Sequence, residues 1–220
     1  GTDTIGASYE RQAGLAVADE NGVVEAGMLG KDLLVDDPGR PFGKRLDHAE
    51  VVAQFTALWD AAAPTDVTNG GMVLVEASDL ARTLRYRSIV GARRFETLYA
   101  EALGATDRLF GALVAQIDAD RDSVMVLAPY ARAGDRDLSI VALHRPSQDP
   151  GYLKSASTQR SGFLTLVDVA PTILDTFGVA RPVDMEGRPA ELAPSSASYG
   201  ERVDRLVALN SASRFRERLL

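Results

Sequence analysis

Apolar residues along this chain fall into two kinds of run. Short continuous runs occur at Met72-Val73-Leu74-Val75, at Val124-Met125-Val126-Leu127-Ala128 and at Leu138-Ser139-Ile140-Val141-Ala142-Leu143. Their brevity and β-branching predict strands buried on both faces, as in a parallel sheet. Longer segments carry apolar residues at helical spacing. Val51, Val52, Phe55, Leu58, Trp59 and Ala62 form one stripe, with Asp47 placed to cap it and Glu50 in the capping-box position. Phe95, Leu98, Tyr99, Ala102, Leu103, Leu109, Phe110, Leu113, Val114 and Ile117 mark a long amphipathic helix, which Gly104 weakens in its middle. Val203, Leu206, Val207, Phe215 and Leu219 mark a last one over 199–220. The segment 80–90 is ambiguous, with arginines among its apolar residues.

Before the first helix, residues 1–45 read as irregular, with brief strand candidates at 15–18, 23–24 and 33–35. Asp19-Glu20-Asn21-Gly22 is a turn. Residues 36–43 are loop, punctuated by two prolines and two glycines. Residues 153–157 are a further short strand candidate. Residues 162–188 read as an extended run, a short helix and a shaped exit loop. There, Asp168 is placed to cap the helix, Pro171 sits in its first turn and Gly178 suits its left-handed stop. Val169, Ile173, Leu174 and Phe177 share one face, and 182–196 is mostly loop. The strand–helix alternation predicts an α/β domain of three layers, helices on both faces of a mainly parallel sheet, over 1–196. A C-terminal helix over 197–220 is appended to it.

Composition narrows the function classes. The chain has 220 residues, 45% of them hydrophobic, enough for a sizeable core. A formal charge of −7 argues against general nucleic-acid binding, which needs a concentrated basic face. With no cysteine, a disulfide, a thiolate nucleophile and a cysteine-bound zinc are excluded. No apolar run is long enough to span a membrane, and the first residues do not form a signal peptide.

Candidate chemistry is sparse. The glycine fingerprints of nucleotide sites and the nucleophile elbow of α/β-hydrolases are absent. Glu76, Asp79, Arg82 and Thr83 follow the run at 72–75, where an open α/β sheet usually binds ligands. The plain alternative for Asp79 is a strand-end carboxylate that caps a helix or pairs with Arg82. Asp118, Asp120 and Asp122 alternate as in a calcium loop but lack its glycine and its terminal glutamate, so they read as a solvated turn. Arg82, Arg85, Arg87, Arg93 and Arg94 are the densest basic cluster, read as a solvated face, with binding of an anion or of lipid headgroups as the alternative.

Two blocks carry a resemblance. Leu166-Val167-Asp168-Val169-Ala170-Pro171-Thr172, its apolar helix and Gly178 form the first. Pro182 and Met185-Glu186-Gly187-Arg188 form the second. In this order they resemble the C-terminal half of the alkaline phosphatase superfamily, in its cofactor-independent phosphoglycerate mutase branch. Asp107, Gly111 and the paired runs at 124 and 138 add to the likeness, which covers roughly 72–190. The resemblance implies an alkaline-phosphatase-like fold, complete or incomplete. It also implies two divalent metals, such as zinc or manganese, held by Asp and His beside a Ser or Thr nucleophile.

Most of those ligands are missing. Asp79 matches the first Asp of an Asp-x-x-x-His pair, but Thr83 stands where the His belongs. Ala128-Pro129-Tyr130 stands where Asp-His-Gly is usual. The later histidine is missing too, and neither His48 nor His144 fits a ligand position. The segment 155–162, Ser155-Ala156-Ser157-Thr158-Gln159-Arg160-Ser161-Gly162, is similar to one in bacterial envelope proteins with a degenerate phosphatase-like ectodomain.

The expectation is therefore a non-catalytic binding or scaffold module without a metal cofactor. By resemblance it is extracytoplasmic, in a parent tethered to the membrane through segments outside this chain, with a protein partner in the cell envelope. The alternative is a phospho- or sulfo-hydrolase whose nucleophile and remaining ligands lie outside this chain. A cytoplasmic α/β protein is a third possibility.

Overall fold

The computed structural model describes residues 14, 16–19, 21–62, 70–129 and 138–217, and the backbone alone for 214–217. They belong to two compact units, one running to Ile117 and the other starting at Asp118.

In the first unit, β1 (Leu34–Asp36) and β2 (Lys44–Leu46) form an antiparallel ladder with Leu34 opposite Leu46. Asp47 ends the ladder and starts α1 (His48–Ala62). Its Oδ1 accepts the N–H groups of Ala49 at 3.1 Å and Glu50 at 3.3 Å, satisfying donors that a helix start leaves free. Two more helices follow, α2 (Ser78–Tyr86) and α3 (Ala92–Val114), and α3 packs on both α1 and α2. α3 continues as one helix past Gly104. Leu33, Leu46, Val51 and Leu109 form the core, and Phe95, Leu98 and Ala102 bury the rest of α3's inner face. Each large side chain so buried contributes about 1.5–3 kcal/mol before the entropy of ordering is set against it.

The second unit has two more antiparallel ladders. β3 (Val124–Leu127) pairs with β4 (Val141–His144), and β5 (Gly151–Lys154) pairs with β6 (Glu191–Pro194). A 3-10 turn over Leu166–Asp168 leads into α4 (Val169–Thr176), and α5 (Tyr199–Glu217) ends the described chain. Ser198 and Glu201 bond reciprocally at the start of α5, Ser198 N–H donating to Glu201 Oε2 at 2.8 Å and Glu201 N–H to Ser198 Oγ at 3.3 Å. Among the described residues, no helix is long and apolar enough to cross a membrane.

The three-layer architecture with a mainly parallel sheet is overturned. Among the described residues, the three ladders are two-stranded and antiparallel, and the parallel pairing is one isolated bridge, Lys154 with Phe163. Mixed α/β content is what remains of that expectation. The run at 72–75 forms no ladder, and Met72 and Leu74 are exposed. Val126 and Leu127 of β3 are also exposed, and Ile140, just before β4, is 69% exposed. An apolar run records a preference for burial and for extended backbone. It does not record which strand lies alongside or in which direction that strand runs.

Smaller differences have local causes. The ambiguous segment at 80–90 is helical as α2. β6 lies where mostly loop was expected and β2 just after the loop at 36–43, where no strand was picked, because each is a short strand with charged residues beside its apolar ones. Of the candidate strand at 15–18, Leu15 lies outside the described residues and Ala16 is helical. The turn at Asp19 is present, its Oδ1 accepting the N–H groups of Asn21 and Val23 at 2.9 and 2.8 Å.

Candidate functional site

The four residues expected at a sheet mouth sit instead around the first turns of α2. Asp79 Oδ1 accepts the backbone N–H of Leu46 at 2.9 Å, at the end of β2, and the same oxygen accepts Nη2 of Arg82. Thr83 Oγ1 donates to the carbonyl oxygen of Asp79 at 2.9 Å. Glu76 lies half-buried two residues before the helix. Ser78, Arg82 and Thr83 are all buried. Nε and Nη1 of Arg82 and Oγ of Ser78 have no hydrogen-bond partner among the described residues. The cluster is a clasp between a strand and a helix. It satisfies one edge N–H of β2 and neutralises a guanidinium that burial would otherwise penalise heavily. Of the two roles weighed for Asp79, the structure shows the pairing with Arg82.

The structure also brings in His48, whose Nε2 stands 3.8 Å from Asp79 Oδ2. Spacing could not have shown this, because the two residues meet only where the start of α1 lies beside α2. Asp79 and His48 are the donors nearest to a metal pair at the position the resemblance marks. They do not fit a divalent cation. One oxygen of the carboxylate already holds a guanidinium, whose positive charge opposes a metal ion beside it. Thr83's hydroxyl is turned back onto its own helix. Among the described residues, no group of three or more His, Asp or Glu side chains is placed to hold a metal. In the turn at 118–122, the carboxylates of Asp118 and Asp122 are spent on backbone N–H groups. Asp118 Oδ1 accepts Asp120 N–H at 3.0 Å and Asp122 Oδ2 accepts Asp118 N–H at 2.8 Å. His144 Nε2 bonds to the carbonyl of Ala119 at 2.8 Å.

A second polar centre organises the other unit. Asp168 is fully buried, and five donors converge on its carboxylate. Oδ2 accepts Ser155 Oγ at 2.8 Å, Thr165 N–H at 2.9 Å and Thr165 Oγ1 at 2.7 Å. Oδ1 accepts Ser157 Oγ at 2.6 Å and Arg188 N–H at 2.8 Å. Burial alone would raise this carboxyl's pKa. The bonds from Ser157, Thr165 and Arg188 outweigh it and hold the group well below the usual carboxylate range. With about four lone-pair sites and five donors, the carboxylate has nothing left for a proton, a metal or a substrate.

The expected cap on α4 is thus corrected. Asp168 reaches back to Thr165 and across to Ser155, Ser157 and Arg188, with no side-chain bond forward into α4. Thr172 extends the network, its Oγ1 donating to Asp168 O at 2.6 Å and accepting Ala190 N–H at 2.8 Å. These bonds place 188–190 just ahead of β6. The fully buried residues here are Asp168, Pro171 and Thr172, whereas Phe177, on the face picked by spacing, is exposed. Gly187 has φ +82, and a Cβ there would overlap the carbonyl of Val167, so only glycine fits. The two blocks of the resemblance and the serine-rich segment at 155–162 are thus the parts of one hydrogen-bonded node. Serines two apart, facing a distant buried aspartate, carry no signal at the sequence level.

The third feature is a groove of about 400 Å³ bounded by β4, β5 and α5. Leu143, Leu153, Leu192 and Leu206 give it a mainly apolar surface, and Arg145 and Arg202 add cationic groups. Neither arginine stood out in the sequence. No family model, curated protein or solved structure matches this chain.

Proposed function

We propose that this chain is a non-catalytic binding or scaffold module, carried in the extracytoplasmic part of a membrane-tethered bacterial envelope protein. The observation that carries the non-catalytic half is the Arg82 guanidinium on Asp79. That carboxylate is the one residue the resemblance matches to a metal ligand, and here it closes a strand–helix clasp. Asp168, a fully buried carboxylate, is saturated by five donors. Asp168 cannot act as base, nucleophile or metal ligand without giving up those bonds, and Asp79 has one oxygen committed to the clasp. The envelope address rests on the likeness of the 155–162 and 166–188 segments.

The test is metal uptake. Purified protein is incubated with zinc or manganese, desalted and analysed for bound metal, and assayed for hydrolysis of p-nitrophenyl phosphate and p-nitrophenyl sulfate. Substoichiometric metal and no turnover are expected. Near-stoichiometric metal that is lost in Asp79→Asn, together with turnover, would sink the proposal and favour the hydrolase.

A further inference from the structure

We infer that the groove of the second unit is a binding site for a single-chain aliphatic carboxylate. This rests on the binding-module reading and names its ligand class.

Three observations converge. The first is that α5 is held in place without filling the space beside it. Gly162, at φ +89, lets Leu206 and Leu209 come within 3.0 and 3.2 Å of where a Cβ would stand. Arg205 lies over the ring of Tyr152 at 5.5 Å, and Asn210 Oδ1 accepts the N–H of Leu138 at 2.8 Å. Yet no residue of α5 whose side chain is described is buried, and Val203 and Leu206 remain 38% and 41% exposed where they line the groove. These apolar side chains lack packing partners on the groove side, and an apolar guest supplies them while covering apolar surface that water now meets.

The second observation is charge. Arg145, Arg202 and His144 line the groove with Asp149, and Asp175 neutralises Arg145, which leaves Arg202 as the cation open to a ligand. Both guanidiniums are fixed. Arg145 donates to Thr176 Oγ1 at 3.0 Å and pairs with Asp175 at 3.3 Å. Arg202 donates through Nη1 to the carbonyl of Ala197 at 2.5 Å, and it has no acidic partner among the described residues. Its remaining N–H groups suit a carboxylate, and a cation already held in place loses little freedom on binding.

The third observation is size. A volume of about 400 Å³ lies toward the lower end of the roughly 300–1,000 Å³ of small-molecule sites. It takes one unbranched chain rather than a two-chain lipid.

The experiment is isothermal titration of the whole chain with laurate below its micelle concentration, with dodecyltrimethylammonium and acetate as comparison ligands. Saturable one-to-one binding of laurate is expected, with neither comparison ligand binding at the same concentrations. Arg202→Gln should weaken laurate about tenfold, the loss of one charge-assisted contact. Leu206→Trp should abolish binding by filling the groove. Val203→Phe does the same from the neighbouring turn of α5 if the tryptophan variant fails to fold, as judged by circular dichroism. Absence of laurate binding, equal binding of the cationic amphiphile, or unchanged binding in the filled-groove variants overturns the inference. The metal-uptake experiment stands apart. A chain that takes up no metal and binds no laurate keeps its non-catalytic reading and loses this ligand.

Discussion

Asp168→Asn is the most telling single change in this molecule. It keeps size and shape but turns one carboxylate oxygen into an NH2 group. Five donors point at that carboxylate, two at Oδ1 and three at Oδ2. The asparagine does least harm with its amide nitrogen in the Oδ1 position. Ser157 can then rotate to accept, but Arg188 N–H faces another donor with no escape. At least two bonds to a charged acceptor are lost or weakened, each worth about 1.5–3 kcal/mol. The expected cost is about 3–6 kcal/mol, against roughly 5–15 kcal/mol for a whole domain. Hydrogen exchange measured by mass spectrometry on peptides covering 151–194 reads this loss directly. Trp59, in the first unit, gives a separate fluorescence readout there. Faster exchange throughout that segment is expected. A variant within about 1 kcal/mol of the parent would refute the idea that this node holds the unit together.

Further expectations follow from the same geometry. The Asp168 carboxyl is held below its ordinary value of 3.8 in the folded chain. The unfolded chain therefore binds the extra proton first as pH falls. Stability from this group is complete above about pH 4 and is lost progressively below it, so an acid denaturation series should show a flatter slope in Asp168→Asn than in the parent. Asp79→Ala should cost about 3–5 kcal/mol in urea denaturation, because it strands the buried Arg82 charge, and the double variant Asp79→Leu with Arg82→Met should recover much of that. A double variant no more stable than the single one would show that the ion pair is not the source of the loss. Gly187→Ala should cost more than about 2 kcal/mol by thermal denaturation, since the added Cβ meets the Val167 carbonyl in a left-handed backbone, and a melting point like the parent's would contradict that geometry.

Several local features were readable from the chain alone. Asp47 caps α1 as its position predicts, and the periodic stripe at 95–117 lies mostly on the long helix α3, where Phe95, Leu98, Ala102 and Leu109 are buried while Leu103, Phe110 and Val114 are exposed and Ile117 falls past the helix end. Asp19 Oδ1 accepts the N–H groups of Asn21 and Val23 in the expected turn. These depend on contacts a few residues apart, and the sequence lays those residues side by side. The site was readable in part. Asp79, Arg82 and Thr83 are neighbours on one helix, so their meeting is local. Leu46 and His48, which give Asp79 its structural role, are some thirty residues away, and nothing in their spacing announces them.

The node at Asp168 divides the two kinds of information most sharply. The sequence by itself determined that a short helix begins near Asp168, that Gly178 ends it and that Gly187 sits in a shaped loop. Only the tertiary structure decided what Asp168 does. It gathers Ser155, Ser157, Thr165 and Arg188 from three segments and so sets β6 against β5. Strand direction was decided at the same level. An apolar run carries its own preference for burial, but its partner lies elsewhere in the chain, and the pairing energy belongs to both strands at once.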